Sequence, residues 1–359
     1  MNLSDIIDTR NVIQWQSNAI VTTKATVYCK FIANFTESIN QYICHQTLEN
    51  TALRLFAAPL QGYTDAEWRH CHAEMAGGVD AYYTPFMRVE KGAVRGRDLR
   101  GLRSTLNSNH HLVPQILVCD VAEMRLLTDA IVAEGYDEVD INMGCPFAPQ
   151  VKHGRGAALL AAPETLHAIG CEMRERYPDM RFSVKMRLGI NDPSQWRDII
   201  GEIDAMPLTH LTVHPRTASQ QYAGDLHMDE FASLLHATRH PVVYNGNVTS
   251  PQDIDRIAQA YPTLHGIMAG RGLLMRPTLF AEWRTGSGLT ERERLVTVLR
   301  IHDAIYRSYQ ERLCGDAQIL SKIKPFWDYL EDTIDRKTAK AIRKATSLPK
   351  YEAAIAALR

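Results

Sequence analysis

The chain has 359 residues, 45% of them hydrophobic, enough to bury the core of one large α/β domain with an appendage. Its 40 basic and 41 acidic side chains nearly cancel, so no global field advertises a nucleic-acid partner, although a basic face offset by acidic surface elsewhere stays compatible with one. Seven cysteines without paired short spacings read as reduced thiols, and there is no zinc-type cluster, no apolar run of membrane-span length and no signal-peptide layout, which makes the cytoplasm the expected compartment.

Residues 1–53 contain no glycine and no proline and mix Ile, Asn, Thr and Gln without sustained period, so they read as an extension to which no function is assigned. Trp15, Cys29 and Cys44 have no evident partner there, and Asn34-Phe35-Thr36 is read as a chance glycosylation match. From Leu55 the punctuation becomes regular. LFAAPL precedes the amphipathic TDAEWRHCHAEMA, then come VDAYYTPFM, and PQILV before VAEMRLLTDAIVAEG. DEVDINMG leads to PETLHAIGCEMRERY, FSVKMRLG to QWRDIIGEIDAM, HLTVHPRT to MDEFASLLHAT, PVVYNGNV to SPQDIDRIAQAY, and LHGIMAGRG to a short helix ending near Trp283.

Strand and helix alternating about eight times over roughly 230 residues predict right-handed parallel crossovers closing into a (β/α)8 TIM barrel over 54–286. The second unit is the weakest: Arg88 to His111 is rich in Arg and Gly and reads as a long loop. Residues 289–359 follow as a smaller C-terminal helical domain.

Such barrels collect their chemistry at the C-terminal ends of the strands. There this sequence sets Pro59, Leu60 and Gln61, then Gln115, Asn142 and Cys145, Lys185 and Arg187, His214 and Arg216, Asn245-Gly246-Asn247, and Gly270-Arg271-Gly272. The absence of a carboxylate pair argues against a glycosidase, and the absence of a His/Asp/Glu cluster against a metal hydrolase; no metal is expected. Glycines at the ends of strands seven and eight let backbone N–H groups approach an anion at the start of a short helix, which points to a phosphorylated cofactor. Lys185 in the barrel mouth needs an anionic or strongly accepting partner. A flavin, whose reduced form is anionic, would supply one; a barrel carboxylate such as Asp140 is the alternative.

The stretch DINMGCPFAPQVKHGRGAALL ends an apolar strand in a cysteine fixed between Gly144 and Pro146, where a side chain is presented. N-M-G-C-P, V-K-x-G-x-G-A-A-L-L, V-K-M-R-L-G, V-H-P-R-T, N-G-N and A-G-R-G, in this order after A-P-L-Q-G-Y-T-D, resemble the tRNA-dihydrouridine synthases from Phe56 to about Trp283, and less sharply beyond. The resemblance implies FMN-dependent reduction of particular uridines in tRNA, with NADPH re-reducing the flavin. It assigns FMN contacts to Pro59, Leu60, Gln61, Gln115, Lys185, His214, Asn245, Gly246, Asn247, Gly270 and Arg271, and makes Cys145 the proton donor. Reduction of the uracil 5,6 bond takes hydride from flavin N5 to C6 and a proton to C5, and an ordinary thiol is protonated at neutral pH yet able to give that proton up. Asn142 is then expected to hydrogen-bond the uracil edge. The alternative for Cys145 is a small buried hydrophobe.

A uridine inside folded tRNA must swing out of its stack, so the RNA body also needs a grip. SKIKPFWDYL sets Lys322 and Lys324 beside Phe326, Trp327 and Tyr329, with the aromatics expected in the core; DRKTAKAIRKATSLPK adds Arg336, Lys337, Lys340, Arg343, Lys344 and Lys350. The other reading of this charge run is a solvated helix face; the family's helical tRNA-binding domain favours the first. Lys152, Arg155, Arg187 and Arg216 are further candidates for the RNA face. Where family members carry lysines after Cys-Pro, this chain has Phe147, Ala148, Pro149 and Gln150, and Arg95, Arg97, Arg100 and Arg103 are candidates to compensate. No obligate protein partner is implied, and a monomer is expected. Two competing readings are a dihydroorotate-dehydrogenase-like FMN barrel, which would not need the basic tail, and an RNA-binding barrel without redox function.

Overall fold

The apolar runs expected as strands close on one another. The computed structural model describes residues 53–330 and 333–359; the readings of Trp15, Cys29, Asn34 and Cys44 lie outside the described residues. The strands are β1 (Arg54–Ala57), β2 (Ala81–Tyr83), β3 (Met87–Glu90), β4 (Ala93–Val94), β5 (Leu112–Val113), β6 (Gln115–Leu117), β7 (Glu138–Met143), β8 (Arg181–Gly189), β9 (Leu208–Thr217), β10 (Val242–Tyr244) and β11 (Gly266–Ala269). From β6 to β11 each strand pairs in parallel with the next, and β11 pairs with β1, which pairs with β2.

Two prolines split the remaining staves. β2 and β3 are halves of one strand broken before Pro85, and β5 and β6 are halves of another broken at Pro114, because proline offers no N–H to the ladder. β2 pairs with β5 and β3 with β6, both in parallel, so the halves together close an eight-stranded barrel. Thr84 bridges the gap: its N–H donates to the Val113 carbonyl (3.0 Å), and its Oγ1 accepts from the Gln115 N–H (2.9 Å). Helices cover the outside in the expected order; Val121–Ala133, for example, is capped by Asp120 and buries Met124, Leu127 and Ile131 against the strands.

The connection from Arg88 to His111 departs from the expected loop. It folds into an antiparallel β3–β4 hairpin, turned by Lys91 and Gly92 with φ of 52° and 77°, then a helix over Gly96–Leu102 and a 3-10 turn over Thr105–Asn109. Its polar side chains are what fold it. Arg95 is buried, donating to Asp98 Oδ2 (2.8 Å) and the Phe86 carbonyl (3.2 Å), and Asn107 donates to the carbonyls of Gly101 and Leu102.

After the barrel, helices follow at Glu291–Arg312, Asp316–Ile323, Arg336–Lys344 and Leu348–Ala356, and Leu53–Arg359 form one compact unit. The first is started by a Thr290/Glu293 capping box and packs on Ala66–Met75, where Tyr309 donates to Asp65 Oδ2 (2.6 Å) and Arg312 pairs with Glu67 (2.5 Å). Trp327 lies in the core as expected, its indole N–H donating to the Tyr351 hydroxyl (2.9 Å), whereas Phe326 and Tyr329, expected there too, are only partly buried. Among the described residues no helix is long and apolar enough to cross a membrane.

Glu282 ties the last barrel turn to these helices. It is buried and accepts both branches of Arg276 (2.9 and 2.5 Å), the Thr278 hydroxyl (2.6 Å) and the Leu289 N–H (3.0 Å). These donors outweigh the desolvation of its carboxylate and hold it at about 2, against an ordinary 4.5. A depressed folded-state value stabilises the fold above the unfolded value, and that contribution fades as pH falls through 4.5 toward 2. Glu282→Gln is therefore expected to cost about 3 kcal/mol at pH 7, with the gap to the parent narrowing below pH 4.5 in thermal unfolding scans taken across pH.

Candidate active site

Side chains along a strand alternate between faces, so Asp140 and Asn142 of β7 share the barrel interior with Ser183, Lys185 and Arg187 of β8 and with His210, Thr212 and His214 of β9. In register, Gln115, Asp140 and Ser183 form one level, and Asn142, Lys185 and Thr212 the next. Above them, at the C-terminal ends of the strands, opens a cleft of about 1020 Å³. Pro59, Leu60, Gln61, Gln115, Lys185, His214, Asn245, Gly246, Asn247, Gly270 and Arg271 all border it, as do Asn142, Cys145 and Arg187. Lys152, Lys322 and Lys324 do not.

The turn carrying Cys145 is held from three sides. Asn142 Oδ1 accepts the N–H groups of Gly144 (3.1 Å) and Cys145 (2.9 Å), Arg187 Nε donates to the Gly144 carbonyl (2.9 Å), and the Cys145 carbonyl accepts from Ala157 N–H (3.1 Å). This last bond explains the G-x-G downstream. Gly156 has φ of +63°, and a Cβ there would stand 2.9 Å from both the Cys145 Cβ and its carbonyl oxygen. Burial pushes the Cys145 thiol above its ordinary value; the Phe147 N–H, Arg187 and Lys185 pull the other way without reversing it. The thiol keeps its proton at neutral pH.

Lys185 makes no hydrogen bond or ion pair with the described residues. The alternative of a pair with Asp140 is not realised, because Asp140 Oδ2 accepts from Gln115 Nε2 (2.7 Å) and Oδ1 from Ser183 Oγ (2.7 Å). Desolvation, with Arg187 adding to it, lowers the Lys185 ammonium to about 8, while Asp140 and Cys145 act in the opposite direction. His214 is pushed well below its ordinary value by burial and by Arg187, Lys185, Arg216 and Arg271. Arg216 Nη1 lies 3.2 Å from its Nε2, which therefore accepts, leaving the imidazole proton on Nδ1.

Across the cleft, the ends of β10 and β11 bring bare backbone close. A Cβ on Gly272 would meet the Val248 carbonyl oxygen at 1.8 Å and one on Gly246 the Tyr244 hydroxyl at 2.5 Å, so neither position admits a side chain. The N–H groups of Gly246 and Asn247, and those of Arg271 and Gly272 at the start of the helix Arg271–Met275, find no acceptor among the described residues. Asn245 Nδ2 donates to the Met268 carbonyl (2.7 Å) and Asn247 Oδ1 accepts from Arg216 (3.2 Å), so these amides also tie the turn to its neighbours.

Several cations expected at an RNA face are occupied elsewhere. Arg216 is buried and donates to the carbonyls of Ala223 and Gly224 as well as to Asn247. Arg155 pairs with Glu123 and donates to the Val89 carbonyl, bracing the hairpin. Arg187, 3% exposed, holds Gly144 and the Thr217 carbonyl (2.8 Å), behind Cys145 and away from the surface. Arg95 and Arg103 are paired with Asp98 and Glu134; Arg97, also within 3.8 Å of Asp98, and Arg100 are exposed. Lys152 is exposed at the end of the helix Ala148–Lys152, and Lys324 donates to the Arg343 carbonyl (2.9 Å). Lys322 lines a small crevice with Tyr309 and Phe326. Arg336, Lys337, Lys340, Arg343, Lys344 and Lys350 are exposed, while Thr338, Ala339 and Ile342 turn inward.

The sequence reading passed over an aromatic rim, apart from Tyr329, which it placed in the core. Phe147 (60% exposed) and Tyr222 (50% exposed) border the cleft with Phe86 and Tyr329, and Tyr222 lies under the guanidinium groups of Arg271 (4.5 Å) and Arg187 (5.5 Å). Tyr222 follows β9, so its place after a strand end was the available signal.

The family model described as dihydrouridine synthase (Dus) matches residues 56–352. A probable tRNA-dihydrouridine synthase of Staphylococcus epidermidis is 29% identical over 263 residues, covering 71% of this chain and 78% of the relative. A Mus musculus protein named tRNA-dihydrouridine(20a/20b) synthase, NAD(P)+-like, is 31% identical over 227 residues, 62% of this chain and 68% of the relative. A tRNA-dihydrouridine(16) synthase of Neisseria meningitidis is 31% identical over 233 residues, 63% and 69% respectively.

Gly156→Ala is expected to cost about 1–3 kcal/mol in thermal unfolding, from the left-handed backbone and the crowding against Cys145. It should also change the rate at which iodoacetamide alkylates Cys145, measured by peptide mass spectrometry, with the exposed Cys314 as internal standard.

Proposed function

The chain belongs to the dihydrouridine synthase family, and from that premise we propose that it reduces uridine in tRNA to 5,6-dihydrouridine, with FMN as the bound hydride carrier, NADPH as its reductant and Cys145 as proton donor. The observation that carries the assignment of the acid is the thiol itself: it borders the cleft, in a turn fixed by Asn142, Arg187 and Gly156, and burial keeps it protonated. An acid that must hold its proton at neutral pH and release it once needs this kind of environment.

The residues fit a flavin mononucleotide. The unpaired N–H groups of Gly246, Asn247, Arg271 and Gly272, with the Arg271 guanidinium, suit its phosphate, since a backbone without Cβ atoms lets an anion approach closely. Lys185, without a partner among the described residues, suits the ring edge that becomes anionic on reduction, and neutral His214 offers a single N–H donor. When bound, the flavin supplies hydride from N5 to C6 of the uracil. On the opposite face the Cys145 S–H bond breaks, and its proton goes to C5. Asn142 and Gln115 each retain one amide N–H after their protein bonds, so toward a ligand they act as donors to carbonyl or ring-nitrogen acceptors.

The grip on tRNA is assigned to the exposed cations of Arg336–Lys344 and Lys350, with Lys322, Lys324 and Lys152 as further contacts. The family match runs to residue 352 and so includes this tail, which a barrel acting on free dihydroorotate does not need. The protein is taken to work as a cytoplasmic monomer.

Cys145→Ala is expected to keep its bound flavin and its affinity for tRNA while dihydrouridine formation falls by about 10²–10⁴-fold, the usual worth of a positioned acid. Turnover on tRNA from cells lacking the gene, read by mass spectrometry, is the measurement; parental turnover in the variant would remove Cys145 from the reaction. Lys340→Ala with Lys344→Ala is expected to weaken tRNA binding and to flatten its salt dependence by roughly 0.7–0.9 log units for each phosphate no longer neutralised. Binding isotherms at several ionic strengths check this, and flavin reduction by NADPH should be untouched.

A further inference from the structure

We propose that Asp140 is a positioning residue: as an obligate acceptor beneath the cleft, it fixes the orientation of two amides in series and thereby the turn that presents Cys145. This rests on Cys145 being the proton donor for its consequence in turnover, but not for its effect on the turn.

The chain of hydrogen bonds can be followed atom by atom. Asp140 is fully buried at the level of Gln115 and Ser183. Desolvation raises the Asp140 carboxyl to about 6 against the pull of Gln115, Ser183 and Lys185, which leaves it ionised at neutral pH and able only to accept, so Gln115 must turn Nε2 toward Asp140 Oδ2 (2.7 Å), and its Oε1 then faces Asn142 Nδ2 (2.8 Å). With Nδ2 committed, Asn142 turns Oδ1 to the N–H groups of Gly144 and Cys145 (3.1 and 2.9 Å). The shape of an amide does not choose between its two ends, so the direction is set at the ends of the relay: the Gly144 and Cys145 N–H groups demand the oxygen of Asn142, and the carboxylate demands the NH₂ of Gln115. If the relay reversed, the Asn142 NH₂ would meet two N–H donors, and the turn would lose both bonds in a buried setting, where an unmet donor is costly.

Asp140→Asn removes the obligation. With Ser183 donating to the new amide's oxygen, its NH₂ faces Gln115, and the pull on the two downstream amides then opposes the Gly144 and Cys145 N–H groups instead of matching them. Adding Gln115→Glu places an acceptor between that new NH₂ and the Asn142 NH₂, so the turn should recover. Gln115→Leu retains the Asp140 charge near Lys185 yet breaks the relay, which separates orientation from electrostatics.

The test uses the purified full chain with its cofactor as isolated, and reads Cys145 alkylation by iodoacetamide alongside dihydrouridine formation. Asp140→Asn and Gln115→Leu are each expected to raise the alkylation rate at least threefold and to lower turnover at least tenfold, with the fold intact by thermal unfolding. Asp140→Asn with Gln115→Glu should return alkylation to within about twofold of the parent. Parental alkylation in Gln115→Leu would overturn the proposal, and that arm stands even if Asp140→Asn does not fold. A folded double variant no better than Asp140→Asn would overturn it too. Altered alkylation together with full activity of Cys145→Ala would uphold the positioning role and reject the proton-donor reading.

Discussion

The register of β7 between β6 and β8 is the constraint on which the rest depends. It sets Gln115, Asp140 and Ser183 at one height and Asn142 beside Lys185 one layer above. Side-chain direction in a strand has a period of two, so a slip of one residue in β7 would turn both Asp140 and Asn142 outward and apolar Val139, Ile141 and Met143 inward. The cost of such a slip is large on both sides of the wall: three fully buried apolar side chains would leave the packing against the outer helices, and a carboxylate would be parted from its donors. The same burial that stabilises the barrel therefore aims the polar residues at the cleft.

Within that mouth the charges do not balance. Lys185, Arg187, Arg216 and Arg271 all bear on His214, while the carboxylate of Asp140 lies one layer beneath Lys185 with both oxygens engaged. Such a field should favour anions, and it explains why His214 is neutral. It should also favour a thiolate at Cys145, and there two effects compete. Desolvation is the larger, so the thiol is raised despite two nearby cations, partly because Arg187 directs its donors to the Gly144 and Thr217 carbonyls and not to sulfur. A more exposed turn would tip the balance toward a nucleophile. The site is thus suited to giving a proton.

Much of this was legible in the sequence because it depends on local pattern. Alternating apolar runs named the barrel, and strand-end position named the residues around the cleft. Gly156 was visible as part of a G-x-G, although its reason, the close approach to Cys145, was not. What stayed hidden involves partners distant along the chain. Arg216 and Arg155 looked like free cations because the carbonyls of Ala223, Gly224 and Val89 leave no mark in a sequence. The Arg88–His111 segment looked like a loop because its order comes from Arg95 and Asn107 satisfying backbone groups, not from apolar period. Asp140 stood as one of two alternative partners for Lys185, since both lie on inner faces of adjacent strands; only the geometry directs it to Gln115 and Ser183 instead.

The C-terminal helices bear on the same cleft through a small number of polar contacts. Asp65 both caps the helix Ala66–Met75 and accepts from Tyr309, and Glu67, two residues on, takes Arg312. Burial and the neighbouring Asp65 raise the Glu67 carboxyl, with Arg312 and Lys322 opposing the shift. Tyr63, on the loop after β1, donates to Asp328 (3.1 Å) and meets Tyr329 edge-on at 5.1 Å, so the chain carrying the basic helix Arg336–Lys344 first touches the cleft's own rim. Rigid attachment matters for a base that must leave its stack: unstacking costs a few kcal/mol, and contacts made by distant cations can offset that only if they are held at a fixed distance from the pocket. Glu282 and the Asp65–Tyr309 bond supply that fixity on two sides of the helix Glu291–Arg312, which makes the junction, as much as the cations themselves, part of how an RNA body would be registered on the thiol.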